Sequence, residues 1–211
     1  MKADMTETSL IRWSGVCCML AGAAIAGFVL VHPWDQLLGA EVARSGRWRL
    51  AHTLHFFGAL FAIPGLLGIF GYARERLGNL GLAGMLVTLL GTAMFLGTGM
   101  ITAFIWPMLA HHAPATVEPG GPIFHGTVSP IAFLVTAATN ICGYVMLGVA
   151  LMRGAIFPRP AVVLLTAGAV LGMLPPTPVS PFPWSGLVLG GVLYGVAMVW
   201  LGTILWRARG A

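Results

Sequence analysis

Residues 50–72 read LAHTLHFFGALFAIPGLLGIFGY, an apolar run that contains no Asp, Glu, Lys or Arg. About 20 apolar residues are enough for a helix to cross the hydrocarbon core of a bilayer, so this run predicts a transmembrane helix. The rest of the chain has the same character, because 58% of its 211 residues are hydrophobic, 8% are charged and the mean hydropathy is +0.90. This composition excludes an ordinary soluble domain. The three cysteines provide neither a disulfide framework nor a CxxC metal motif.

Further apolar segments lie on both sides of this run. The sequence predicts an all-α, polytopic integral membrane protein in which residues 1–211 form a single transmembrane domain, a six-helix bundle. The predicted spans are about 11–31, 50–72, 80–109, 128–152, 160–177 and 184–206. The fifth span is short, since its clean apolar part would rise only about 21 Å as a helix. The proline-rich segment that follows it, 175–183, cannot continue as a regular helix.

The basic residues predict the orientation of the bundle. If the N-terminus is cytoplasmic, eight of the eleven Lys and Arg residues lie on the cytoplasmic side and three lie outside, in agreement with the positive-inside rule. The eight are Lys2, Arg12, Arg74, Arg76, Arg153, Arg159, Arg207 and Arg209, and the three are Arg44, Arg47 and Arg49. Both termini are therefore expected in the cytoplasm, and the expected location is a bacterial cytoplasmic membrane. The pI near 9.7 then reflects orientation in the bilayer and does not indicate a nucleic-acid partner.

The glycines indicate how the helices pack. The chain has 29 glycines, and small residues allow close approach of helices in a membrane. Spans 1 and 6 carry small-xxx-small pairs such as Gly22-xxx-Ala26 and Gly191-xxx-Gly195. Packing inside the bundle is the plainer interpretation. The alternative is that these two spans join a homo-oligomer or a larger membrane complex.

The polar residues inside the spans narrow the function. No Asp, Glu, Lys or Arg lies in the middle of any predicted span, which argues against a proton-coupled transporter or ion pump because these usually need an ionisable relay at mid-depth. Asn140 is the most costly of the remaining polar residues to place in the membrane and is expected to bond to a neighbouring helix.

All six histidines fall on the outer side of the predicted topology: His32, His52, His55, His111, His112 and His125. His52 and His55 are three residues apart, so their side chains share one face of a helix and can converge on one centre. The ordinary alternative is a set of interfacial histidines that cap helices or contact headgroups, with no cofactor bound.

The histidines predict a b-type haem near the extracytoplasmic face. Such a haem needs a neutral imidazole from each of two spans, an apolar slot, and cations near its propionates. His52 or His55 would supply one ligand, and the other would come from His32, His111, His112 or His125. Arg47 and Arg49 lie just outside span 2, where the propionates would emerge.

Zinc or copper is the alternative cofactor. Neutral imidazoles and carboxylates bind both metals. The candidate ligands are His32, Asp35, His52, His55, His111, His112 and His125, with Glu118 as a further carboxylate. Their spacing matches no strong zinc motif, and HExxH is absent.

The function expected from the sequence is therefore a small membrane protein that binds a redox cofactor or metal, with b-type haem favoured and electron transfer with quinone as its use. Two alternatives stay open. One is a non-catalytic accessory or assembly subunit of a larger complex, and the other is a transporter or channel for a neutral or lipid-like solute. The loop 110–127, rich in turn-forming residues, is expected to lie across the outer mouth of the bundle.

Overall fold

The structure, a computed structural model, describes residues 2–34, 39–126, 128–174 and 183–208, and the side chains from residue 8 onward apart from that of residue 128. These residues form eight α-helices: α1 (Lys2–Val31), α2 (Ala40–Arg44), α3 (Gly46–Met100), α4 (Trp106–His112), α5 (Pro122–His125), α6 (Val128–Gly154), α7 (Arg159–Leu171) and α8 (Ser185–Arg207). A π-helix, Ile101–Ile105, joins α3 to α4, and a short 3₁₀ helix covers Pro114–Thr116. The prediction of an all-α chain is confirmed for this part of the molecule.

Four helical stretches are long and apolar enough to cross a membrane: Thr8–Val31, Gly46–His112, Ser129–Gly154 and Ser185–Arg207. Several helices of this kind are consistent with an integral membrane protein. The shorter apolar helix α7, Arg159–Leu171, has 13 residues and rises about 20 Å. The fifth predicted span, 160–177, is therefore too long at its C-terminal end, because the helix stops at Leu171. Residues 175–177 lie outside the described residues.

The stretch Gly46–His112 folds back on itself at Gly78. Gly78 has φ 58° and ψ −165°, a conformation that is easily reached only without a Cβ. On either side of it, the first arm (residues 46–77) and the second arm (residues 79–100) run antiparallel. Trp48 bonds to Thr102 across the two arms, and the ring of His55 lies 4.0 Å from the ring of Phe95. The predicted spans 50–72 and 80–109 correspond to these arms, the second continuing through the π-helix into α4.

The long helices are arranged in a ring in the order α1, first arm, second arm, α6, α7 and α8, and α8 packs back on α1. The glycines of α1 and α8 lie in the contact between these two helices. A Cβ at Gly15 would stand 2.6 Å from the carbonyl oxygen of Gly202, and one at Gly22 would collide with the carbonyl oxygen of Gly195. These small residues therefore serve packing within the chain.

One end of the ring is filled by apolar side chains and the other end is hollow. The filled end carries the chain reversal at Gly78 and the main hydrophobic cluster, whose fully buried members include Leu66, Ile69, Leu147, Leu151, Leu165, Leu201 and Leu205. At the opposite end, α2 and α4 pack together through a second cluster that includes Trp48, Trp106 and Val117. This second cluster covers the hollow end, where the histidines lie.

Candidate functional site

Three histidines meet at the hollow end of the bundle. His32 follows the last residue of α1, while His52 and His55 lie on the first arm of α3. The side chains are 4%, 5% and 3% exposed, respectively. The ring centres of His32 and His52 are 5.1 Å apart, and those of His52 and His55 are 6.0 Å apart. We call His32, His52 and His55 the histidine cluster.

Two neighbours hold the cluster together. Phe28 lies one helical turn before His32, and its ring centre is 5.6 Å, 5.5 Å and 4.9 Å from those of His32, His52 and His55. Arg47 donates from Nε to the carbonyl of Val31 at 2.7 Å and from Nη2 to that of His32 at 3.3 Å. Because these carbonyls lie at the C-terminal end of α1, a guanidinium is the group that suits them best. Arg47 thereby fixes the end of α1 against the start of the first arm.

Trp48 packs against the histidine cluster on the side of α2 and α4. It precedes His52 by one turn, and the two ring centres are 4.1 Å apart. Its indole also stacks on that of Trp106 at 5.4 Å with an interplanar angle of 8°. The indole N–H donates to the carbonyl of Thr102 in the π-helix at 2.9 Å. Trp48 is thus held on both its polar edge and its face, and it limits the movement of His52.

The ring nitrogens of the cluster lack hydrogen-bond partners. Nδ1 of His32 and both ring nitrogens of His52 and His55 are buried without a partner within the described residues. Burial lowers the pKa of His32 to about 4, with a smaller contribution from the positive charge of Arg47. His32 is therefore a neutral imidazole at pH 7, the form that binds metals and accepts hydrogen bonds. An unpartnered polar group in an apolar interior lowers the stability of a folded protein by about 1–3 kcal/mol. The cluster therefore destabilises the protein unless a ligand binds to it.

The cluster lines a cavity of about 1210 Å³. Pockets for drug-sized ligands have volumes of about 300–1,000 Å³, so this cavity is large enough for a cofactor. Its walls are mostly apolar, and no Asp, Glu, Lys or Arg belongs to them in the part of the chain that is described. Residues at the covered end include Trp34, Trp106, Pro119, Phe124 and Trp184. The loop 110–127 therefore contributes Pro119 and Phe124 to the wall of the cavity.

A second group of polar side chains lines the same cavity deeper in the bundle. Thr136, Asn140 and Tyr144 follow one another along α6 at intervals of four residues, and all three are buried. Thr92 of the second arm is buried beside the cavity, and its hydroxyl forms no well-aligned hydrogen bond among the described residues, although the Tyr144 hydroxyl lies nearby. The hydroxyl of Tyr144 lies 2.9 Å from that of Tyr194 on α8.

The structure places the predicted site residues in two groups. His32, His52 and His55 come together in the cluster, whereas His111 and His112 on α4 and His125 on α5 are exposed. Arg47 bonds to the end of α1, and Arg49 is exposed. Glu118 accepts a hydrogen bond from the backbone N–H of Ala40 at 3.2 Å and so caps α2. Asp35 lies outside the described residues.

The arrangement of ligands bears on the choice of metal. Among the described residues, no group of three or more His, Cys, Asp or Glu side chains is placed so that it could hold a metal ion. The three imidazoles of the cluster lie against one another and against aromatic rings. Zinc sites in proteins have at least three protein ligands.

Sequence patterns alone missed three contributors to the site. Trp48 was not among the predicted site residues, and its role depends on a π-helix that has no simple sequence signal. Tyr144 and Tyr194 sit in apolar runs. The four-residue spacing of Thr136, Asn140 and Tyr144 could have shown that they share a helix face.

Comparison with protein-family models, with curated proteins and with solved structures gave no match. The function is therefore inferred from the geometry of the site.

Proposed function

We propose that this chain is a membrane protein that binds a redox cofactor, b-type haem, in the cavity beside the histidine cluster. The observation that carries the proposal is the set of five buried, unpartnered ring nitrogens at the edge of a large apolar cavity. A haem iron binds a neutral imidazole nitrogen, and its macrocycle needs an apolar surrounding. Both requirements are supported by the residues present.

His55 is the residue that we propose would hold the haem iron. It lies further along the first arm than His52, and Phe28 and Phe95 pack against it. These contacts orient the imidazole, and neither ring nitrogen forms a well-aligned hydrogen bond among the described residues, although one lies near the backbone of Phe95. His32, which follows α1, would supply a second imidazole from a different part of the chain, because His52 shares a helix face with His55. Bound haem would supply one-electron redox chemistry.

The direct test is a visible spectrum of protein purified in mild detergent from cells supplied with a haem precursor. The expected result is a Soret band that is lost in His55→Ala and weakened in His32→Ala. His125→Ala is the matched control, because His125 is exposed and should leave the band unchanged. Protein that folds but carries no haem, and does not bind added haemin, would overturn the proposal. Metal analysis of the same sample tests the alternative of zinc or copper.

We propose further that the chain crosses the membrane six times, with both termini in the cytoplasm and the histidine cluster toward the outside of a bacterial cell. The reversal at Gly78 supports separate crossings by the two arms of α3, each at least as long as the hydrocarbon core is thick. The short helix α7, Arg159–Leu171, would make the fifth crossing. The distribution of Lys and Arg supports the orientation.

A further inference from the structure

The cavity has a second polar surface that the haem proposal does not use. Thr136, Asn140 and Tyr144 form one stripe along α6, which we call the α6 stripe, because residues four apart share a helix face. Asn140 is 2% exposed and Thr136 is 6% exposed. Both line the cavity at the depth of the membrane interior, where an amide is costly unless its hydrogen bonds are formed.

The polar groups of the stripe do little to join α6 to its neighbours. The Thr136 hydroxyl donates to the carbonyl of Ala132 at 2.8 Å, and the Asn140 amide donates to that of Thr136 at 3.0 Å. Both bonds are within α6. The sequence predicted a bond from Asn140 to a neighbouring helix, and for the hydrogen bond that its amide donates this prediction is wrong. One N–H of the Asn140 amide takes part in this bond. The other N–H remains to donate to a ligand.

Thr92 adds a second donor beside Asn140. The second arm packs closely on α6 here, since a Cβ at Gly91 would stand 2.9 Å from the amide nitrogen of Asn140. Thr92 follows Gly91 directly and is 3% exposed, and its hydroxyl forms no well-aligned hydrogen bond among the described residues, although the Tyr144 hydroxyl lies nearby. A buried amide and a buried hydroxyl therefore lie at one level of the cavity wall, about one helical turn below Phe95 and the histidine cluster.

The chemistry of the walls restricts the ligand. The absence of Asp, Glu, Lys and Arg from the described lining disfavours a charged headgroup. Two neighbouring donors suit a carbonyl oxygen, which can accept two hydrogen bonds. The apolar remainder of the cavity suits a ring and an alkyl tail. The ligand is thus uncharged and lipid-soluble, and it carries a carbonyl group.

From these features we infer that the α6 stripe and Thr92 bind the head group of a lipid-soluble quinone. One quinone carbonyl accepts hydrogen bonds from the Asn140 amide and the Thr92 hydroxyl, and the ring and tail occupy the apolar part of the cavity. The choice of a quinone over other uncharged carbonyl compounds rests on the proposed redox function. The binding site itself does not require haem.

The test is a titration of the full chain in nanodiscs with decylubiquinone, followed by tryptophan fluorescence. Trp34, Trp48, Trp106 and Trp184 line the cavity, so a bound quinone should quench them in a saturable manner. Thr92→Val, which keeps the side-chain shape, and Asn140→Leu should each raise the Kd about tenfold, the effect of losing one hydrogen bond of about 1.4 kcal/mol. Thr139→Val is the matched control, because Thr139 is on α6 but does not line the cavity.

Each outcome separates this inference from the haem proposal. Decylbenzene, which has the tail and ring without carbonyl groups, does not itself quench tryptophan, so it is added as a competitor and should not displace decylubiquinone at equal concentration. Full displacement by decylbenzene, or an unchanged Kd in both Thr92→Val and Asn140→Leu, would overturn the quinone site. His125→Ala, at an exposed residue that does not line the cavity, should keep the quinone Kd within about twofold. A protein that shows Asn140-dependent quinone binding and never takes up haem would refute the haem proposal alone.

Discussion

The indole N–H of Trp48 donates to the backbone carbonyl of Thr102, at 2.9 Å, and this bond joins the two arms of α3 beside the histidine cluster. The carbonyl is available because the π-helix changes the backbone pattern: the N–H of Trp106 bonds to the carbonyl of Ile101 and not to that of Thr102. π-Helical turns are found frequently at functional sites. Here the turn supplies the acceptor that fixes the tryptophan packed against His52.

Trp48→Phe should therefore destabilise the protein by about 1–3 kcal/mol, because the buried carbonyl of Thr102 loses its donor. The measurement is thermal unfolding in detergent, with the haem spectrum recorded alongside it. Trp200→Phe is the control, since Trp200 is 38% exposed and its ring makes no described contact of this kind. If Trp48→Phe and Trp200→Phe unfold at the same temperature, the bond to Thr102 does not stabilise the fold.

The glycines between α1 and α8 lead to a second prediction. Gly15→Ala places a Cβ against the backbone of Gly202 and Trp206, at 2.6 Å and 2.8 Å from the nearest atoms. Since both are backbone atoms, the helices must move apart, and a loss of about 1–3 kcal/mol is expected. Gly97→Ala is the matched control, because a Cβ there meets nothing within 4 Å. Unfolding in increasing SDS should show a lower midpoint for Gly15→Ala only.

A third prediction concerns the proposed topology. In a variant with the native cysteines replaced by Ala, Asn79→Cys lies at the reversal between the two arms, and Ala113→Cys lies just after α4. A membrane-impermeant maleimide added to intact cells should label Ala113→Cys and not Asn79→Cys, and in inverted vesicles the pattern should reverse. Labelling of both positions from the same side would contradict separate crossings by the two arms.

The helices could largely be predicted from the sequence, whereas the cavity could not. The length of an apolar run such as 50–72 is enough to predict a membrane-spanning helix. The i, i+3 spacing of His52 and His55 places both side chains on one face of that helix. The partner of that pair was left among four histidines, because which loop folds toward the first arm depends on packing between distant residues. His32 is held beside this pair by its packing against Phe28 and by the hydrogen bonds from Arg47 to the end of α1.

The propionate role predicted for Arg47 and Arg49 shows a second limit of sequence patterns. A cation near a cofactor site is equally suited to the carbonyls at a helix end, because both present negative charge or partial charge. In the structure, the Arg47 guanidinium donates hydrogen bonds to the carbonyls of Val31 and His32. Only the position of α1 beside the first arm distinguishes the two uses, and that position depends on the close contacts that Gly58, Gly65 and Gly68 of the first arm make with α1.

The unpartnered nitrogens of His55 give the prediction that best separates a binding site from a structural cluster. Both ring nitrogens are buried without partners, which costs about 1–3 kcal/mol in a protein free of ligand. His55→Leu keeps a similar volume and removes the polar atoms, so ligand-free protein should become more stable, with a Tm higher by roughly 2–10 °C. The same variant should lose the Soret band of haem-loaded protein.

His125→Leu is the control for this experiment, because an exposed histidine should change stability by less than about 0.5 kcal/mol. Both proteins are measured without haem, as judged by their spectra, and then after addition of haemin. A lower Tm for ligand-free His55→Leu would mean that the imidazole stabilises the bundle through its ring contacts. A higher Tm together with lost haem binding would mean that the chain keeps His55 for its ligand at the expense of its own stability, as expected of a binding site.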